Sequence, residues 1–149
     1  MNQLDKHTTS SHTTEQGFTL IELMIVLVVM AVLTVIAVPA YNAQIMGSRR
    51  DEGNTFLLQA AVKQEQFYLD NSVYTADMTD LGYALSPALS SEGFYEITAI
   101  IANAGQTFAF TATRKGAQVS DTNCGNLTLN NFGVKWGTGT DPDPGKNCW

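Results

Sequence analysis

Glu22 is the one charged side chain in a run of 21 residues, Phe18 to Val38, whose only other polar members are Thr19 and Thr34. A carboxylate at the centre of a membrane segment costs about 2.5–3.5 kcal/mol even on mild insertion scales, so Glu22 is a functional candidate. As a first-turn acid it also favours the dipole of its own helix. Cys124 and Cys148, the only cysteines, both lie in the last quarter; in an exported domain such a pair reads as a disulfide. Asp141 and Asp143 could sit beside a calcium ion, but they lack a full oxygen-ligand pattern and read as a solvated turn. His7 and His12 could form a metal pair, yet in a Ser/Thr-rich stretch they read as solvated linker. No metal and no cofactor is assigned. Arg114, Lys115, Lys135 and Lys146 could converge into a small stripe, with Trp136 or Trp149 stacking on bases. The formal net charge of −6 opposes tight nonspecific binding to a phosphate backbone, so scattered solvated lysines are the plainer reading. No nucleotide-binding glycine pattern, metal-protease helix or nucleophile elbow occurs. An enzyme is not expected.

The elements that must position these residues follow from pattern. Twenty-one apolar-rich residues make roughly 31 Å of helix, about the thickness of a bilayer's hydrocarbon core. Pro39 removes a backbone donor and is expected to kink the helix. Gly47 and Gly53 each lower helix propensity by roughly 1 kcal/mol, so residues 39–53 form the soft part of a rod. From Asn54 to Leu69 an apolar arc of roughly 240°, interrupted by Gln64 and Glu65, exceeds the ~100° stripe of a surface helix. One part of it can pack on a sheet while another faces a neighbour. The rod from Phe18 to Asp70 has 53 residues, or roughly 80 Å.

Turn formers fill 71–92, with a short helical turn expected near Met78–Leu81. Strands are expected over 94–101, 106–113, 126–130 and 134–136, the second with the cleanest alternation. Short links make the sheet antiparallel, packed on the C-terminal half of the long helix. The Gly/Pro/Asp-rich tail from Gly137 is expected to form no regular structure. The fold class is α+β: a long N-terminal helix, transmembrane half plus amphipathic half, on a small antiparallel sheet of about four strands.

Gly17-Phe18-Thr19-Leu20-Ile21-Glu22-Leu23-Met24, followed by the apolar helix, resembles the signature of type IV pilins, shared with the pseudopilins of type II secretion. The resemblance implies that a prepilin peptidase cuts between Gly17 and Phe18 and that the new amine of Phe18 is methylated. Lys6, Asp5 and Glu15 lie before that cut, leaving seven basic and twelve acidic residues, a net of about −5. In the family the fifth mature residue, here Glu22, pairs with the N-terminal amine of a neighbouring subunit. Such a pair offsets desolvation and sets axial register; reaching its own Phe18 amine remains an alternative. Where pilin leaders usually carry basic residues before the glycine, this chain has Glu15-Gln16. Arg49 and Arg50 beyond the span also run against the positive-inside rule; the motif favours a cytoplasmic N-terminus. Many pilins place a glycine where Ala31 stands, which argues against unwinding within the span.

The resemblance further implies a disulfide between Cys124 and Cys148, bounding a region similar to that of minor pilins of the PilE kind. The implied organisation is leader 1–17, filament-core helix 18–38, amphipathic half 39–70 and globular head 71–149. The implied function is a structural subunit of a type IV pilus serving twitching motility, adhesion or DNA uptake. It would pass from inner-membrane precursor to extracellular fibre. Its partners would be other pilin subunits, prepilin peptidase, an inner-membrane assembly platform and the membrane before assembly. Alternatives are a pseudopilin of type II secretion, which the cysteine pair disfavours, and a DNA-capturing competence pilin.

Overall fold

The computed structural model describes residues 17–149; the expectations for His7, His12 and the leader before Gly17 lie outside the described residues. The chain falls into two compact units, one ending at Pro39 and one running from Ala40 to Trp149. One helix, α1 (Leu20–Asn71), contributes to both and carries Pro39 inside it.

The start of α1 is set by Thr19. Its hydroxyl accepts from the Glu22 N–H at 3.3 Å and its carbonyl from the Leu23 N–H at 3.2 Å. This is one half of the Thr-x-x-Glu capping box, which satisfies a donor the helix itself cannot. Through Val38 the side chains of α1 are exposed.

In the second unit the wide arc of α1 divides. Leu57 and Ala60 are fully buried against Met78, Tyr95, Ile97, Phe110 and Leu127. Leu58, Val62 and Leu69 stay exposed, Leu69 at 82%. Gln64, which reads as a break in the arc, is in fact buried; its Nε2 donates to the Thr75 carbonyl at 2.7 Å and holds the loop that follows. Burying an amide costs free energy unless it is hydrogen-bonded; the loop carbonyl supplies the partner for Nε2, while Oε1 is buried without one among the described residues.

The sheet has five antiparallel strands in sequence order: β1 (Ala88–Leu89), β2 (Tyr95–Ala102), β3 (Thr107–Arg114), β4 (Leu127–Asn130) and β5 (Lys135–Gly137). The last four lie within a residue of the expected spans, and β1 adds a fifth. Period-two alternation sends Tyr95, Ile97, Phe108, Phe110, Ala112, Leu127 and Leu129 into the core. The opposite face carries Thr98, Thr111, Thr128 and Trp136 in one cross-strand row.

Both ends of the sheet are tied to α1. At one, Tyr68 Oη donates to Gln106 Oε1 (2.7 Å), and Gln106 Nε2 donates to the Ser72 carbonyl (3.1 Å). At the other, Arg50 Nε meets Asp121 Oδ2 at 2.5 Å and Asn54 Nδ2 donates to the Cys148 carbonyl at 3.0 Å. Cys124 and Cys148 form a disulfide with a Cα–Cα distance of 5.5 Å. Closing a loop of 24-residue separation stabilises by about 3.5 kcal/mol on the chain-entropy estimate.

The tail corrects one expectation, since a single helical turn, α2 (Pro144–Asn147), forms in it. Pro144 opens that turn, where its missing N–H costs nothing. Asp141 Oδ1 accepts from the Asp143 N–H (2.8 Å) and from Asn147 Nδ2 (2.9 Å), holding both ends.

Candidate functional site

Three polar side chains stand in the apolar segment, and two are satisfied locally. Thr19 caps the helix, and the Thr34 hydroxyl donates to the Ala31 carbonyl at 2.8 Å. Glu22 remains. Among the described residues its carboxylate has neither a hydrogen bond nor an ion pair; only its backbone N–H is engaged. Phe18 lies four residues before it, just outside α1, and is 80% exposed. Gly17 and Phe18 are thus exposed outside any helix or strand, and among the described residues nothing lies within 4 Å of a Cβ built on Gly17. Around Glu22, Leu20, Leu23, Ile25 and Val26 project outward on every side. A continuous apolar surface of this extent marks contact with lipid or with other chains. The segment is long and apolar enough to cross a membrane by length and composition.

Beyond Pro39 the charged run Arg49-Arg50-Asp51-Glu52 works as an anchor. The Arg49 guanidinium lies 4.3 Å from the Phe94 ring centroid. Glu52 Oε1 accepts from the Glu92 N–H at 2.8 Å. The hydrogen bond to buried Asp121 raises the Arg50 pKa above its ordinary value, against the lowering effect of burial. Asp121 also accepts through Oδ2 from Gln118 Nε2 (3.1 Å), which in turn reaches Tyr95 Oη (3.1 Å). Burial pushes the Tyr95 phenol up to about 12. Sequence reasoning missed this network.

The six residues that could have formed a nucleic-acid stripe separate into two groups. Arg114 is turned inward, its Nη1 donating to the carbonyls of Val119 and Asp121 and its Nε to Asn126 Oδ1. Lys115 is paired with Glu96 at 2.5 Å. These two are held by the fold, so a four-residue basic stripe does not form, in keeping with the plainer reading of scattered basic residues. Lys135, Trp136 and Trp149 do gather, where α2, which carries Lys146, packs on β5. Lys135 Nζ lies 5.1 Å from the Trp149 ring centroid, and Trp149 Nε1 donates to the Trp136 carbonyl at 3.1 Å. Lys135 and Lys146 are exposed. Among the described residues no cluster of three or more His, Cys, Asp or Glu is placed to hold a metal.

Known proteins resemble this chain along most of its length. Residues 39–128 match the family described as type IV minor pilin ComP, DNA uptake sequence receptor. Residues 13–38 match the prokaryotic N-terminal methylation motif. The fimbrial protein EcpC of Eikenella corrodens is 32% identical over 106 residues, 71% of this chain and 67% of that protein. The type IV major pilin protein PilE of Neisseria gonorrhoeae is 33% identical over 88 residues, and the match spans only 52% of its length. The type IV wide pilus major component PilA4 of Thermus thermophilus is 32% identical over 110 residues, 66% of this chain and 81% of that protein. A type IV pilin structure from Shewanella oneidensis superposes with a TM-score of 0.51 over 70% of this chain and 97% of that one; at 23% identity it speaks for the fold alone.

Proposed function

The chain belongs to the type IV pilins, within the minor pilin family that its residues 39–128 match, and from that membership we propose how its two exposed regions work. The apolar half of α1 anchors the precursor in the membrane, N-terminus on the cytoplasmic side, and then passes into the core of a filament of pilin subunits. Prepilin peptidase cuts between Gly17 and Phe18, the new amine of Phe18 is methylated, and an inner-membrane assembly platform inserts the subunit. Pro39 serves as the flexing point of the rod.

The observation that carries this reading is the isolation of Glu22. Every other polar side chain of the span finds its partner inside the same helix. A carboxylate left alone among oily side chains needs a cation from outside, and the Phe18 amine of a neighbour is a cation of suitable position and low hydration. The pair would form only when a subunit sits in register, so it selects assembly rather than stabilising the monomer. The test is Glu22→Gln in cells, with this subunit quantified in sheared filament fractions. A severe loss from the filaments with normal membrane levels is expected; wild-type incorporation would remove the reading.

A second reading concerns what the assembled subunit does. The match to a family described as a DNA uptake sequence receptor and the gathering of Lys135, Trp136 and Trp149 where α2, which carries Lys146, packs on β5 together favour DNA reception during uptake over motility or a secretion role. Stacking of a base on an aromatic ring is worth about 1–3 kcal/mol. Trp149→Ala should therefore weaken DNA binding by about tenfold or more, measured by fluorescence anisotropy. Unchanged binding would remove the aromatic contact from this reading.

A further inference from the structure

The far end of the sheet carries a groove with a different chemistry. It lies between the β2–β3 and β4–β5 hairpins, has a volume of about 230 Å³, and is lined by Ile100, Asn103, Thr107, Asn130, Asn131 and Phe132 among others. None of its lining residues is charged, although the chain carries a formal −6. A phosphate backbone, an acidic peptide or an anionic lipid surface would find no cation there.

Phe132 is 76% exposed, on a turn whose backbone is held by hydrogen bonds. The N–H groups of Phe132 and Val134 both donate to Asn130 Oδ1 at 3.0 Å. The Gly133 N–H donates to the Asn130 carbonyl at 2.9 Å, and the Asn131 N–H to the Phe108 carbonyl at 3.2 Å. Gly133 sits at φ +73°, a left-handed turn that a side chain would strain. A turn whose backbone is already ordered spares that part of the cost of binding, leaving only the ring's own torsions to be fixed.

The polar groups beside it are neutral and partly unspent. Asn103 Nδ2 donates to Thr107 Oγ1 at 3.1 Å, which leaves the Asn103 amide oxygen and the Thr107 hydroxyl proton available. Among the described residues, Asn130 Nδ2 and both ends of the Asn131 amide have no partner. Amides and hydroxyls that donate and accept at close range suit a ligand whose own groups do both. An aromatic face next to them suits a ligand with an apolar C–H face. A pyranose ring has both features. The groove falls below the ~300 Å³ at which drug-sized sites begin, so it fits one ring of a chain, not a long segment.

We propose that this groove is a subsite for a neutral sugar ring, stacked on Phe132 and hydrogen-bonded by Thr107, Asn130 and Asn131. The inference stands apart from filament assembly and from DNA reception, since it uses none of their residues. The test is saturation-transfer NMR on the full chain in micelles of a zwitterionic, sugar-free detergent. The probes are lactose, maltose and N,N′-diacetylchitobiose. Transfer to the ring C–H protons of at least one is expected, with Phe132→Ala weakening it by about tenfold and Asn131→Asp weakening it in parallel. Phe132 is too exposed for its loss to unfold the domain, and circular dichroism verifies that. Three outcomes overturn the proposal: no transfer from any of the three sugars, transfer indifferent to Phe132→Ala, or displacement by an equimolar thymidine oligonucleotide.

Discussion

Gly53 sits where a methyl group has no room. A Cβ built there would lie 2.8 Å from two carbons of the Tyr95 ring. Replacing a helical glycine by alanine ordinarily gains about 1 kcal/mol, while forcing atoms into a filled core costs about 1–3 kcal/mol. At Gly53 the clash is with a fully buried ring that cannot swing away, so Gly53→Ala should lower the denaturation midpoint. Gly47 has open space around the same hypothetical atom, and Gly47→Ala should raise it. Opposite signs from one substitution on one helix would separate packing from propensity; equal signs would mean that Tyr95 does not control the site. The Tyr95 phenol adds a second prediction. Burial raises its folded pKa to about 12, above an unfolded value near 10. Its contribution is therefore complete below pH 10 and is lost as pH rises toward 12. That loss amounts to on the order of 2–3 kcal/mol. Urea titrations at pH 8 and pH 11.5 should show a smaller alkaline loss in Tyr95→Phe than in the parent.

At the scale of elements, the second unit is a sheet clasped to a helix at both ends, and the disulfide holds one clasp closed. Cys148 is bonded to Cys124 and its carbonyl is held by Asn54, while Asp121, three residues before Cys124, holds Arg50. Replacing both cysteines by serine should cost about 3.5 kcal/mol and should release the tail first, read as rapid amide exchange over residues 138–149 while β2 and β3 stay protected. Uniform loss of protection would show that the clasp is not a separate unit. Much of this architecture was legible. Alternation wrote β2 and β3 into the chain because their side chains have one wet face and one dry one. The apolar excess of Phe18–Val38 wrote the first half of α1. Ala88–Leu89 was not legible, because two residues have no period. Nor was the turn at Pro144, which depends on Asp141 reaching Asn147. The Arg50–Asp121 pair joins residues 71 apart, and nothing local at either position announces the other. In the candidate site, Glu22 stood out because a charge among hydrocarbons is conspicuous. The sorting of the basic residues did not, since a lysine facing water and one facing a carboxylate look alike in a sequence.

For the whole molecule, the question is how a chain of formal charge −6 could hold a polyanion. Its basic residues are mostly committed. Arg50 serves Asp121, Lys115 serves Glu96, and Arg114 serves backbone carbonyls. Arg49 and Lys63 lie over Phe94 and Tyr83. Among the described residues that leaves Lys146, and Lys135 over the Trp149 ring, both exposed, against an acidic remainder that repels DNA at long range. A surface of this kind can bind only through a small contact area, with stacking and base contacts supplying what charge does not. Counterion release makes the number of phosphate contacts measurable: the logarithm of affinity falls with the logarithm of salt at a slope of about −0.9 per contact on duplex DNA. Two lysines therefore predict a slope of about −2, far shallower than that of a groove lined with cations. Lys135→Ala and Lys146→Ala should each reduce it by about one unit, while Trp149→Ala should weaken binding without changing it. Anisotropy titrations of the full chain in micelles, from low to physiological salt, decide the matter. A slope of −5 or steeper would mean that Arg114 and Lys115 leave their partners on binding. A slope of zero would remove phosphate contacts altogether and leave DNA reception without its electrostatic foothold.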